Sequence, residues 1–233
     1  MNRFVSAVRL NLLLQLRYGF YYAAAFVVVL WVGLLIPLPG AAMAVATPLV
    51  VFVELAVIGY YFIAGQVLFE KGERTLYALV STPLRFSEYL ASKLATLTLL
   101  AVTASLVVVV AGYGADFDAL LLIAGVSLVS LISLLAGFIS VMPFDSITRY
   151  LIPSQLPLFI MSLPLLPFLG VWQSPVFYLI PTHGALVLLG GAFGTTTLTN
   201  GQILYAILYG LICICVLYLA ARATFDRYVV RGR

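Results

Sequence analysis

Charge is what this sequence has least of. Of its 233 residues only 9% are charged, while 64% are hydrophobic. A soluble domain of ordinary make-up carries about 25% charged residues, so this chain lacks the polar groups to cover a water-facing surface. That excludes a soluble enzyme domain, a disordered tail and a nucleic-acid-binding module. Histidine is scarcer still: His183 stands alone, and without an H-E-x-x-H pair a His-built metal site is not expected. No serine sits in a glycine-rich elbow that would make His183 the base of a hydrolase. The two cysteines, Cys213 and Cys215, cannot form a disulfide framework. On a helix they point about 200° apart, which suits apolar filler better than shared metal ligands. There is no G-x-x-x-x-G-K-[ST], so ATP is not bound here by a P-loop.

Long apolar runs are what the chain does have, such as FVVVLWVGLLI and LLLIAGVSLVSLISLLAGF. A bilayer core about 30 Å thick needs about 20 helical residues to cross it. A membrane barrel would alternate apolar and polar positions instead. The fold class is therefore all-α, a polytopic membrane protein, with spans expected near 20–37, 50–69, 94–113, 119–142, 152–171 and 202–221. The whole chain, 1–233, reads as one transmembrane domain in the lipid bilayer.

The basic residues are unevenly placed. Arg3, Arg9 and Arg17 precede the first span; Lys71, Arg74, Arg85 and Lys93 lie between the second and third. Arg149 separates the fourth from the fifth, and Arg222, Arg227, Arg231 and Arg233 follow the last. The remaining connections hold no Lys or Arg, and the one between spans three and four carries Asp116 and Asp118. The positive-inside rule puts both termini in the cytoplasm of a multi-pass cell-membrane protein. Two cytoplasmic ends require an even number of spans. The apolar stretch 175–193, broken by Pro175, Pro181 and Gly184, is accordingly expected to turn back on the outer side as a re-entrant segment. The alternative is that 152–171, with its four prolines, is the part that does not cross.

The first residues do not read as a cleavable signal, because a long basic stretch precedes the apolar run and no A-x-A-like site follows it. Residues 2–18 instead form an amphipathic pattern. Phe4, Val8, Leu12 and Leu16 recur at i, i+4, with Arg3, Arg9, Asn11 and Gln15 on other faces. Such a helix would lie in the headgroup layer; a plain extension of span one fits the same pattern.

Glu54 is the one acidic residue inside the expected spans. Sixteen residues before Glu70, it would sit about 24 Å from the cytoplasmic end, nearer the outer face than the midplane. A cavity-facing carboxylate on the substrate pathway is one reading. A water-touched acid in the first turn of its span is the other.

The connection 70–93 is far longer than a plain turn requires. Leu76, Leu79 and Val80 stand at i, i+3, i+4, which suits a short amphipathic helix over 73–80. Thr82 is a natural N-cap with Pro83 at the first helical position, starting a second helix into span three. A helix, a break and a second helix with mixed charge would suit docking in a groove of a soluble partner. An interfacial helix that merely seals the bundle would look the same.

This segment resembles the signature of ABC-2 type transporter permeases, roughly E-[RK]-x-x-G-T-L-E-x-L-x-x-T-P-L-x-x-x-E-x-L-x-x-K. The matches are Glu70, Lys71, Thr75, Leu76, Leu79, Thr82, Pro83, Leu84, Glu88, Leu90 and Lys93; Arg74 replaces the usual Gly and Tyr77 the usual Glu. The runs Leu16-Arg-Tyr-Gly-Phe-Tyr-Tyr and Ser174-Pro-Val-Phe-Tyr-Leu-Ile-Pro-Thr are similar to a subgroup of fluoroquinolone-export permease subunits. The resemblance implies a half-transporter that pairs with an identical or related permease subunit and with a separate ABC ATPase, which would hold the ATP and Mg. Glu70, Lys71, Glu73, Arg74, Thr75, Leu76, Leu79, Thr82 and Pro83 would then form the coupling helix, and Glu54 would lie on the path of an amphipathic export substrate. Gly137, Gly210 and Ala136 are candidates for close helix approach. An ion-coupled secondary transporter using Glu54, and a non-transporting scaffold, are the competing classes.

Overall fold

The computed structural model describes residues 3–78 and 84–232. Every long element is a helix: α1 Arg3–Arg17, α2 Phe20–Leu35, α3 Gly40–Glu54, α4 Tyr60–Gly72, α5 Thr75–Ala78, α6 Phe86–Gly112, α7 Ala119–Val141, α8 Ile147–Ser162, α9 Leu165–Phe168, α10 His183–Ala192 and α11 Asn200–Phe225. A π-helical turn, Leu55–Gly59, joins α3 to α4 without interrupting the rod, and a 3-10 turn, Pro175–Leu179, precedes α10.

Among the described residues four rods are long and apolar enough to cross a bilayer: Gly40–Gly72, Phe86–Gly112, Ala119–Val141 and Asn200–Val230; α1 and α2, bent by 64° at their junction, make a fifth if counted as one. The protein is thus a multi-pass, all-α membrane protein. Three boundaries differ from the sequence expectation. The second span begins at Gly40 rather than near residue 50, because the small residues Gly40, Ala41 and Ala42 continue the helix and Pro48 is tolerated within it. The helix that runs into span three begins at Phe86, three residues after the start expected at Pro83. The 152–171 stretch is two pieces, α8 with Pro153 and Pro157 inside it and the short α9, since Pro164 and Pro167 remove amide donors that a continuous rod needs.

α7 is the central rod. It packs against α4, α6, α10 and α11, while α1 and α2 lie along α6. A Cβ at Gly137 would clash with the Tyr60 carbonyl oxygen, and one at Gly125 would stand 2.9 Å from the Leu189 side chain. Glycine at these two places lets α4 and α10 come close enough to touch backbone. At Gly210, the other glycine singled out from the sequence, a Cβ would meet only the flexible Leu128 side chain, at 2.9 Å.

The bundle has two chemically different ends. At one, Asp118 caps α7 by accepting from the Leu120 and Leu121 amides at 2.9 and 3.1 Å, and its own amide donates to Ala192 O at the end of α10 at 2.9 Å. At the other lie Glu70, Lys71, Glu88 and Lys93, together with an aromatic cluster of Phe86, Tyr89, Phe138 and Phe225, in which the Phe86 and Phe225 rings are 4.8 Å apart. Between them, Thr182 at the foot of α10 donates to Met161 O of α8 at 2.7 Å, while the Phe168 ring lies against Gly190 near the acidic end. Phe168 and Ala192 thus both lie nearer the acidic end than Thr182 does.

Candidate functional site

At the basic end, α4 runs out to Gly72 and the chain leaves it through Glu73 and Arg74. Arg74 has φ 58°, the single non-glycine residue with positive φ among the described residues. It occupies the position after the helix C-cap, where a left-handed residue ends the helix and glycine is favoured. Its amide donates to Lys71 O at 3.0 Å, and the Thr75 hydroxyl donates to Glu70 O at 3.2 Å. The chain is thereby turned sharply into α5.

Behind this turn lies a buried polar network. Glu70 is 5% exposed and Lys93, about two turns inside α6, is 0% exposed. The Lys93 ammonium donates to Glu70 Oε1, and the Tyr89 hydroxyl donates to the other oxygen, Oε2, at 2.7 Å. Lys93 also donates to Asn11 Oδ1 at 3.2 Å, which accepts from Gln66 Nε2 at 3.1 Å as well. Asn11 Nδ2 passes the chain on to Ser92 Oγ at 2.8 Å, and one turn along, Gln15 Nε2 donates to Thr96 Oγ1 at 2.7 Å. A buried charge survives only when paired and hydrogen-bonded, and here each oxygen of the carboxylate has its own donor. The network ties three helices together: α4 through Glu70 and Gln66, α6 through Tyr89, Ser92, Lys93 and Thr96, and α1 through Asn11 and Gln15.

Lys71 is turned inward as well. Its ammonium donates to Met142 O at 2.6 Å and Phe144 O at 2.8 Å, the freed carbonyls at the end of α7, where a cation opposes the helix dipole. Leu76 is fully buried. Of the residues expected in the coupling helix, Glu70, Lys71 and Leu76 thus face the chain's own bundle, while Glu73, Arg74 and Thr75 are exposed. Leu79, Thr82 and Pro83 lie outside the described residues. The N-cap of α6 is Arg85 rather than Thr82, because Glu88 reaches back to the Arg85 amide at 2.9 Å. Glu73 faces α1 from outside the network, accepting from the Tyr18 hydroxyl at 3.0 Å.

The amphipathic first helix is oriented by this network. Asn11 and Gln15 point into the protein, while Val5, Leu10, Leu13 and Leu16 face outward. Polar side chains inward and leucines outward is the arrangement for a helix whose outer surroundings are lipid. Their i, i+4 spacing was visible in the sequence; that their partners would be Ser92 and Thr96 was not.

The second feature lies far along the same rod. Glu54 is the last residue of the fifteen-residue α3, in the interior of the 33-residue helix Gly40–Gly72. It is not a first-turn acid, as a span beginning near residue 50 would have made it. It is 5% exposed, and its Oε2 has no hydrogen-bond partner among the described residues. It lines a crevice of about 30 Å³ between α2, the π-helical turn, α4, α6 and α7, otherwise walled by apolar residues such as Phe62, Leu97 and Ala101 and by Ser130, whose hydroxyl donates to Thr98 Oγ1 at 3.3 Å. A π-turn inside an α-helix often marks a functional position. A carboxylate held in such surroundings costs roughly 3 kcal/mol in a membrane.

His183 is buried at the start of α10 beside the Tyr178 ring, 4.7 Å between centroids. Among the described residues no three His, Cys, Asp or Glu side chains come together as a metal site. Cys213 and Cys215 are free.

Sequence comparison reaches over the same ground. The profile of the fluoroquinolones export permease protein family matches residues 2–233. Two curated relatives, fluoroquinolones export permease proteins of Mycobacterium tuberculosis strains CDC 1551 / Oshkosh and ATCC 25618 / H37Rv, are each 44% identical over 232 residues, covering 99% of this chain and 98% of their own length.

Proposed function

The chain belongs to the fluoroquinolones export permease protein family, and we propose that it is the membrane-spanning permease subunit of an ABC-type exporter of amphipathic drugs, fluoroquinolones among them. A separate ATPase supplies the energy, and a second permease subunit, a copy or a relative, completes the pathway. Membership of an export family sets aside the scaffold reading, and a borrowed ATPase sets aside ion-coupled transport.

In this reading the chain is one transmembrane domain, 1–233, crossing six times: α2, the α3–α4 rod, α6, α7, the α8–α9 pair and α11. The basic end is cytoplasmic and the acidic end external, in keeping with the distribution of Lys and Arg. α1 lies in the cytoplasmic interface, and Pro175–Ala192 is a re-entrant pair on the outer side, supported by Phe168 and Ala192 both lying nearer the acidic end than Thr182 does. The ATPase docks on the exposed turn, Glu73, Arg74 and Thr75, and on Leu79, Thr82 and Pro83 beyond it. Glu70, Lys71 and Leu76 act from behind that surface as positioning residues.

The observation that carries this reading is the Glu70–Lys93 pair with its bonds to Asn11 and Gln66. A push on the docking turn cannot be absorbed locally, because the turn is anchored to α4, α6 and α1 together. ATP-driven closure of the motors would bias one of two packings of these helices. The test is reversal of the exposed charges, Glu73→Arg with Arg74→Glu, in the protein co-expressed with its ATPase. Drug efflux and drug-stimulated ATP turnover should fall together while the permease still reaches the membrane. Unchanged coupling would remove the docking role from this turn.

A further inference from the structure

The Glu54 crevice has features that neither docking nor packing requires. The carboxylate is buried, Oε2 lacks a partner among the described residues, and no basic side chain lines the cavity. Its neutralising group must therefore come from outside the chain or be a proton. The walls separate the candidates. A hard metal cation takes six or more oxygen ligands, whereas among the described residues Glu54 and Ser130 are the only lining residues with side-chain oxygens, and the Ser130 hydroxyl already donates to Thr98 Oγ1 at 3.3 Å. An alkylammonium has at most three donors to place, and its methylenes need the apolar wall that Leu97, Leu100 and Ala104 provide. Phe62 adds an aromatic ring suited to a cation. A cavity of about 30 Å³ holds an amine head group and no more, so the body of the molecule lies outside it. Ala101, Leu100 and Ile58 on the wall are only half-buried, so the crevice reaches the helix surface.

We infer that this crevice recognises the ammonium group of a lipophilic amine, with Glu54 as its counter-ion. The site rests on the export reading only in that it makes such amines the preferred cargo. A lipophilic amine lying in the bilayer presents its head group at the helix surface and exchanges a solvated charge for a paired one. A neutral molecule of the same shape gains nothing from Glu54.

The test uses the purified full chain in lipid nanodiscs, titrated with dansyl-tagged decylammonium and with its N-acetyl derivative, empty nanodiscs being subtracted. Glu54→Gln should weaken the ammonium probe by about tenfold, the loss of one charge-assisted contact, and leave the N-acetyl probe unchanged. Glu54→Asp, which keeps the charge, should stay close to wild type. Ala104→Leu, which fills the crevice without touching the charge, should weaken the ammonium probe as well and serves if Glu54→Gln does not fold. Equal affinity of wild type for the two probes, or ammonium binding indifferent to both Glu54→Gln and Ala104→Leu, overturns the site. Efflux from vesicles that also hold the ATPase is read separately. Wild type that binds the ammonium probe but exports neither probe overturns the export reading and leaves the site standing. A preference for exporting the ammonium probe that persists undiminished in Glu54→Gln overturns the site alone.

Discussion

Glu70 and Lys93, the first and last residues of the 70–93 segment, meet as an ion pair inside the protein, with Lys93 fully buried. The two ends of this segment are thereby clamped together at its base, and Tyr89 and Asn11 complete the clamp.

Removing one side of the clamp leaves a bare buried charge. Lys93→Met should lower stability by about 3–5 kcal/mol, measured as unfolding in detergent. Adding Glu70→Gln, which keeps an acceptor for Tyr89 but removes the charge, should restore at least half of the loss. A double variant as unstable as the single one would mean that the pair contributes packing rather than charge balance.

Arg74 holds a left-handed backbone conformation where ABC-2 permeases usually have glycine. Arg74→Gly should therefore stabilise the turn by about 1 kcal/mol, seen as a raised melting temperature. If the side chain docks on the ATPase, the same variant should lose coupling while gaining stability. These opposite signs separate the two roles of one residue.

Gly137 and Gly33 are both helical glycines, yet only the first is crowded. A Cβ at Gly137 meets the Tyr60 carbonyl, whereas nothing lies within 4 Å of one at Gly33. Gly137→Ala should cost about 1–3 kcal/mol through overpacking, and Gly33→Ala should be neutral or stabilising by up to about 1 kcal/mol. Comparable melting temperatures for the two would contradict the close contact of α7 with α4.

Orientation is tested by labelling. In a background with Cys213 and Cys215 replaced by Ala, Asp116→Cys should react with a membrane-impermeant maleimide on intact cells, and Arg231→Cys only after permeabilisation. The reverse pattern would invert the topology and place the exposed turn at Glu73, Arg74 and Thr75 outside the cell, where no ATPase could reach it.

Legibility in the sequence followed the range of the interaction. The helical rods could be anticipated because continuous apolar runs need nothing but their own backbone and lipid. The break between the 3-10 turn Pro175–Leu179 and α10 was signalled by Pro181 and Gly184, whose effects are local. Boundaries were misplaced where small residues such as Gly40 and Ala41 continued a helix without raising its apolarity, and where prolines split α8 from α9. Glu70, Lys71 and Leu76 appeared as parts of a docking surface, since a one-dimensional pattern cannot tell which face of an elbow looks inward.

What the sequence determined alone is the solvent, and with it the order of charges from which a sidedness is proposed. Too few charges to meet water on every side, and nearly every cation gathered near one end, are properties of composition and order. Only the tertiary structure decided which polar groups are partners. Asn11 and Ser92 are 81 residues apart, and Lys71 finds the carbonyls of Met142 and Phe144 across a comparable gap. It also left Glu54 Oε2 without a hydrogen-bond partner among the described residues, and all of these follow from how the rods pack, because the partners open to a buried polar group are those the fold brings beside it.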